Sequence, residues 1–400
     1  MWWLFMVKKK TNKKQNETVK VNQALTLLLI VVLAGSAYLL FSSPESASSE
    51  QEMKNAVGVK VTFLGVDCED CIDVAAVRDF LSQQSSITVD ETVELTIEES
   101  RELIAEHNIS RLPAVLLEGD VKGVIIESFT QSNEALLLGN MPPPYYDIAS
   151  EKVKGLVSVK HVTVDCRECF DMDIVLDGLS QAGIVVKDVL EVNSKSDEGK
   201  ELVEQYKLEK LPTLIFSSDA AEYDAFAQVW QQVGTEEEDG SLVLRLVSPP
   251  YVNVATKKVE GKVKATYLVD AGCTSCFDPH ELDVLLNESF GMFIDQRKDV
   301  DIMSSAGKTL VNKYNIDFAP TVVLSKDAGL YPMFEEGWAQ AGTKETDGMF
   351  VFRAVNLLEP FLKQKGVYFS YVNASSGQLI TTASPDSIIE VELPMNNSLS

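Results

Sequence analysis

Histidine is scarce in this chain of 400 residues: only His107, His161 and His280 occur. A His-rich metal site or several His-based triads are hard to assemble from so few. Arginine is sparse too, with seven residues, and all basic residues number 35 against 60 acids, a formal net charge of −25. Nucleic-acid binders present basic faces, so that class is disfavoured. No phosphate-cradling Gly-rich loop, HExxH helix or GxSxG elbow is found. The six cysteines are too few for a disulfide scaffold. Hydrophobic residues make up 45% and mean hydropathy is +0.01, which argues against bulk disorder and against many membrane spans. The length suggests two to four domains.

One long apolar run is present. Residues 1–23 carry six lysines and one acid, net +5, and residues 24–41, ALTLLLIVVLAGSAYLLF, carry no charge at all. Eighteen such residues approach the thickness of a hydrocarbon core, and the lysines ahead of them place the amino terminus in the cytoplasm. The reading is a single-pass anchor with the bulk of the chain extracytoplasmic. A cleaved signal peptide and a buried core helix are its competitors. Residues 42–56 read as a polar tether. The rest of the chain has 29 basic and 59 acidic residues, net −30, and reads as a solvated acidic surface.

The cysteines form three pairs, Cys68–Cys71, Cys166–Cys169 and Cys273–Cys276, each with two residues between. Each follows a β-branched run (57–66, 156–164, 262–269) and precedes a helix-like stretch. Downstream of each lie a second strand, a helix and a proline. Pro113 is 45 residues after Cys68, Pro212 is 46 after Cys166, and Pro320 is 47 after Cys273. This is an internal threefold repeat. Copies two and three also share Trp230 and Trp338, expected in the core, and the Asp239-Gly240 and Asp347-Gly348 turns, which signal hairpins. The segments 142–155 and 248–261 share a PPY motif, with a looser version at 370–380, and read as stiffened linkers.

Strand, CxxC before a helix, strand, helix, then a proline opening an apolar strand resembles the thioredoxin superfamily. The resemblance covers roughly 57–365 as three tandem α/β domains, each a mixed sheet flanked by helices: 57–141, 156–247 and 262–365, with a tail from 366 to 400. It implies cis peptide bonds at Pro113, Pro212 and Pro320, with Leu112, Leu211 and Ala319 before them contacting substrate. It implies that Cys68, Cys166 and Cys273 are nucleophiles and that Cys71, Cys169 and Cys276 resolve the mixed disulfide. No Trp-Cys-Gly-Pro-Cys signature occurs; Asp67, Asp165 and Gly272 precede the three pairs.

Each pair is expected at the N-terminus of the helix that follows, with its two intervening residues on the first helical turn; the thiolate is the nucleophile in exchange, and a helix N-terminus favours it. Asp67, Glu69 and Asp70 surround the first pair with negative charge, which disfavours the thiolate. Arg167 stands against Glu168 and Asp165 at the second pair. Thr274 and Ser275 are neutral at the third, with Asp278 and His280 nearby as charge modulators. Cys273 is therefore expected to have the lowest thiol pKa and Cys68 the highest. Tetrahedral zinc between pairs is a weaker reading, because the pairs lie about 100 residues apart, each with its own proline. His107 and His161 read as structural, and the sequons at Asn108, Asn287, Asn373 and Asn396 are short enough to arise by chance.

The reading is thiol–disulfide exchange on protein substrates, without a cofactor, with a membrane redox partner recycling the pairs and no nucleic-acid partner. The alternative is a non-catalytic scaffold with structural disulfides, which an oxidising compartment permits.

Overall fold

The computed structural model describes residues 56–355 and 370–381. The expected span 24–41 lies outside the described residues, among which no helix is long and apolar enough to cross a membrane. The chain divides into two compact units. One runs through repeat one and most of repeat two to Val247, and the other holds Cys166–Phe170 with the chain from Ser248 onward.

Repeat one contains β1 (Val57–Leu64), α1 (Val74–Ser82), β2 (Ile87–Leu95), α2 (Arg101–Glu106), β3 (Arg111–Leu112), β4 (Ala114–Gly119), β5 (Thr130–Ser132), β6 (Ala135–Leu138), β7 (Tyr145–Asp147) and β8 (Lys152–Lys154). Repeat two contains β9 (Val157–Thr163), α3 (Asp173–Gln181), β10 (Val186–Asn193), α4 (Asp197–Gln205), β11 (Lys210–Leu211), β12 (Thr213–Phe216), α5 (Asp224–Val233), β13 (Gly234–Glu236), β14 (Leu242–Leu244), β15 (Tyr251–Asn253) and β16 (Lys258–Glu260). Repeat three contains β17 (Val263–Val269), α6 (Glu281–Phe290), β18 (Ile294–Asp301), α7 (Ser305–Tyr314), β19 (Phe318–Ala319), β20 (Thr321–Leu324), α8 (Phe334–Trp338), β21 (Gly342–Lys344), β22 (Phe350–Phe352), β23 (Ser370–Asn373) and β24 (Leu379–Thr381).

The three five-stranded sheets share one topology: β2-β1-β4-β6-β5, β10-β9-β12-β14-β13 and β18-β17-β20-β22-β21. The first two strands of each repeat are parallel and all other neighbours antiparallel. A parallel pair needs a crossover, and α1, α3 and α6 supply it. This mixed order, in which a cis-proline opens the strand that runs antiparallel to the first one, is thioredoxin-like, so the chain holds three tandem thioredoxin-like repeats.

Alternation in each first strand sets the layers. Val59, Val61 and Phe63 face Val77 and Leu81 of α1, whereas Leu64 and Leu116 join Ile109 and Leu112 on the other side. In repeat three, Ala265 and Tyr267 pack with Leu282 and Leu286 of α6, and Leu268 packs with Val311 and Tyr314 of α7. Each large apolar side chain so buried contributes about 1.5–3 kcal/mol.

The two segments read as linkers, and the looser copy of their motif in the tail, are structured. Residues 145–154 form the hairpin β7–β8, residues 251–260 form β15–β16, and residues 370–381 form β23–β24. β7 pairs with β3, and β23 pairs with β19, so these hairpins extend the strand that precedes a cis-proline. Trp230 and Trp338 are buried in their repeats. Gly240 and Gly348 take the positive φ that the Asp-Gly turns require. Repeat one makes its β5–β6 turn through Asn133, also at positive φ.

One tyrosine in each later repeat ties it to the glycine just ahead of its first residue. Tyr223 Oη donates to Gly155 O at 2.8 Å and accepts from Val185 N at 3.0 Å. Tyr331 Oη does the same with Gly261 O and Phe293 N, at 2.8 and 3.0 Å. Burial pushes both phenols above their ordinary pKa.

Candidate functional site

All three cysteine pairs are disulfides: Cys68–Cys71, Cys166–Cys169 and Cys273–Cys276. The six cysteines are half-buried, whereas the intervening Glu69, Asp70, Arg167, Glu168, Thr274 and Ser275 are exposed. Each pair follows the carboxyl end of the first strand of its repeat. The helices begin later than expected. α1 starts three residues after Cys71, α3 four after Cys169 and α6 five after Cys276. The cysteines are therefore not on a first helical turn, and this corrects the sequence reading.

The cause is local. Asp73 caps α1 by accepting from Ala75 N at 2.8 Å, and Asp278 and Pro279 precede α6 as a turn closed by Glu281 N to Asp278 O. The first pair instead sits in a tight turn, with Cys71 N donating to Cys68 O at 3.3 Å. A helix dipole weakens beyond its first turn, so its pull on these thiols is smaller than expected.

The bonds before Pro113, Pro212 and Pro320 are cis, as the resemblance implied, and Pro143-Pro144 and Pro249-Pro250 are cis as well. Leu112, Pro113, Leu211, Pro212, Ala319 and Pro320 are all buried. The backbones of Leu112 and Ala319 pair with Tyr146 and Val372 of the chain's own hairpins. In repeat three, Cys273, Cys276 and Ala319 belong to one apolar cluster.

Charge around the pairs differs from the linear reading at the second one. Lys195 meets Asp165 at 2.7 Å, and Lys262 reaches Glu168 at 3.5 Å and Asp295 at 3.1 Å. The Lys195 hydrogen bond and charge hold Asp165 below the usual carboxylate range. Neither lysine was legible from the motif, since one lies 29 residues beyond Cys166 and the other opens repeat three. Among the described residues, no ion pair neutralises Asp67, Glu69 or Asp70. Nor, among those residues, does any group of three or more His, Cys, Asp or Glu side chains converge to hold a metal.

His280 is committed to two carboxylates: Nδ1 lies 2.7 Å from Asp278 and Nε2 lies 2.9 Å from Asp299. Its ring packs 4.1 Å from that of Tyr267, whose hydroxyl donates to Asp283, itself paired with Arg297 at 2.6 Å. Burial pulls the His280 pKa down, but the hydrogen bonds and charges of Asp278 and Asp299 outweigh it and hold it above the ordinary value. A raised pKa means that the stabilisation is complete below about pH 6.5 and fades as pH rises through the folded value. His280→Gln is therefore expected to destabilise repeat three more at pH 5.5 than at pH 8.5. The difference should stay below about 1 kcal/mol because the pair is partly exposed. Equal urea midpoint losses at the two pH values would refute this. His107 caps α2 and lies 3.0 Å from Ser132 Oγ, which is a structural role.

No family model matches the chain, and no curated protein matches it. Solved structures with some likeness include ERdj5 in its form II crystal, at 9% identity and a TM-score of 0.15, covering 90% of this chain and 46% of that one. Another is a protein disulfide oxidoreductase from Aeropyrum pernix K1, at 12% identity and a TM-score of 0.12, covering 41% and 78%. Human ERp44 in form II matches at 9% identity and a TM-score of 0.12, covering 68% and 77%. The chain thus spans less than half the length of ERdj5. The thioredoxin-like fold stands on strand order and cis-prolines.

Proposed function

We propose that the chain is a membrane-anchored, extracytoplasmic thiol–disulfide oxidoreductase that acts on protein thiols and disulfides. The observation that carries this reading is the placement of three half-buried CxxC disulfides, each after the first strand of a thioredoxin-like repeat. A client thiolate attacks one sulfur of an oxidised pair and forms a mixed disulfide. The client's second thiol then breaks it. The client leaves as a disulfide, and the pair holds two electrons and two protons more. The reverse sequence reduces a client disulfide. By resemblance, Cys68, Cys166 and Cys273 form the mixed disulfide and Cys71, Cys169 and Cys276 resolve it. By the same resemblance the client docks at the cis-proline loops, where in repeats one and three the chain's own hairpin must first give way. A membrane partner recycles the pairs, and residues 24–41 provide the anchor.

The competing reading is a binding scaffold whose disulfides are structural. The distance between the pairs and their helices favours it, because the thiols lose activation by the dipole. The reduction potential of each pair in the full chain separates the two. Exchange requires at least one pair between about −120 and −270 mV, and serine replacement of that pair should stop oxidation of a dithiol peptide. Three potentials well below about −300 mV would reject exchange and leave the scaffold.

A further inference from the structure

The hairpin that closes repeat three reaches its disulfide. β23 begins at Ser370, only 2% exposed. Ser370 N donates to Ser275 O at 3.0 Å, and Phe277 N donates to Ser370 O at 2.9 Å. The hydroxyls of Ser275 and Ser370 lie 3.1 Å apart. Residue 370 is thus held from both sides of Cys276, with which it forms an isolated parallel bridge. Two residues further on, Val372 and Asn373 pair with Ala319 and Phe318, just before cis-Pro320. An extended peptide adds to a sheet through unpaired edge groups, and β23 already occupies those of β19.

Among the described residues, the other repeats lack the full arrangement. Pro250 stands where repeat three has Ser370; it accepts from Phe170 N at 2.8 Å but has no N–H to give back. Pro144 stands there in repeat one, and among the described residues no backbone hydrogen bond joins it to the first pair. Among the described residues, only the third disulfide is held by backbone hydrogen bonds on both sides.

We propose that the hairpin Ser370–Thr381 is a redox-sensitive strap on the Cys273–Cys276 disulfide. It is closed while the bond is intact and released by its reduction, and while closed it covers the peptide-pairing edge at Phe318–Ala319. This rests on the exchange reading of the third pair. Both anchors, Ser275 O and Phe277 N, flank Cys276, within or next to the ring that the disulfide closes. A dithiol breaks that ring as follows. One of its thiolates attacks a sulfur of the bond and frees the other sulfur as a thiolate. Its second thiol then resolves the mixed disulfide. The protein gains two electrons and two protons, and the reductant leaves as a disulfide. The turn is then free to relax and the anchors separate. Linkage is reciprocal, so displacing the strap also makes the bond easier to reduce at equilibrium.

Hydrogen exchange of the full chain tests this, with dithiothreitol as the reductant and differential alkylation to report which pairs are reduced. Exchange of the amides in 370–381 should rise about fivefold or more on reduction, and likewise in the Cys273→Ser/Cys276→Ser variant, while β7–β8 stays protected. Ser370→Pro removes both the N–H and the hydroxyl, and in a dithiothreitol redox titration should shift the reduction equilibrium of Cys273–Cys276 roughly fivefold toward the dithiol relative to Cys68–Cys71 in the same molecule. Should that variant perturb the repeat, Ser370→Ala and Ser275→Ala remove the hydroxyl pair alone and should give a smaller change of the same sign. Unchanged exchange in 370–381 with the third pair demonstrably reduced would overturn the strap. Release of the strap without any exchange on a client peptide would overturn the proposed function and leave the strap standing.

Discussion

Phe334→Ala should destabilise repeat three by about 3–5 kcal/mol, enough to unfold that repeat under conditions in which repeat one survives. Phe334 is fully buried. Its ring meets Phe290 at 5.3 Å and Phe350 at 5.0 Å edge to face, and Trp338 at 5.1 Å. It joins α6, α8 and β22, so removing it takes contacts from three elements at once. Truncation loses the transfer free energy of the ring and leaves a cavity between rigid aromatic neighbours that cannot collapse to fill it. Repeat two has the matching cluster of Phe216, Phe226 and Trp230, with Phe226 stacked on Trp230 at 4.7 Å. Repeat one has no helix there; Val121 and Ile126 belong to its core, with the half-buried Phe129 packed against it. Repeat-resolved hydrogen exchange in urea is the measurement, because three repeats need not unfold as one transition. A loss below about 1 kcal/mol would show that the cluster does not hold the repeat together.

What was legible in the sequence had constant spacing. The cysteine pairs, the prolines and the Trp and Asp-Gly positions recur at nearly fixed intervals, and each marks a backbone requirement that its residue type meets. Leu112-Pro113, Leu211-Pro212 and Ala319-Pro320 are cis, and the Asp-Gly turns close hairpins. What was not legible depends on partners distant in the chain. The PPY segments read as linkers because their strands are three or four residues long, and their pairing is settled by strands more than thirty residues earlier, as with Arg111 and Asp147. The helix starts were misplaced because Asp73 and Asp278 divert the first turn, which a β-to-α composition change does not reveal. Tyr223 and Tyr331 carry no sequence motif, and their role rests on hydroxyls that satisfy backbone groups far away in the chain.

The second large effect concerns Gly307, where two opposing contributions must be weighed. In an exposed helix interior, Gly→Ala stabilises by about 1 kcal/mol through helix propensity. Gly307 lies in the first turn of α7, whose cap Ser304 accepts from Gly307 N at 3.0 Å. The capped turn is pressed against the end of β18. A Cβ at 307 would lie 2.1 Å from Asp301 O and 2.6 Å from Ile302 Cα. Both are backbone atoms, and Asp301 O is itself held by Ser304 N at 3.0 Å and Ser304 Oγ at 2.6 Å. Neither side can yield without breaking the cap, whose loss alone costs about 1 kcal/mol. Overpacking of this kind typically costs about 1–3 kcal/mol. Strain and cap loss together outweigh propensity, so Gly307→Ala should destabilise repeat three by about 2 kcal/mol. Gly199→Ala should do the same to repeat two, where the Cβ would lie 2.0 Å from Asn193 O and Ser196 is the cap. Repeat one tolerates Ser100 at the aligned position, where it is fully buried and α2 begins only at Arg101. An alanine at 307 that stabilised the repeat would mean that the turn can lift off β18, and the close packing of helix on strand would then not be what fixes α7.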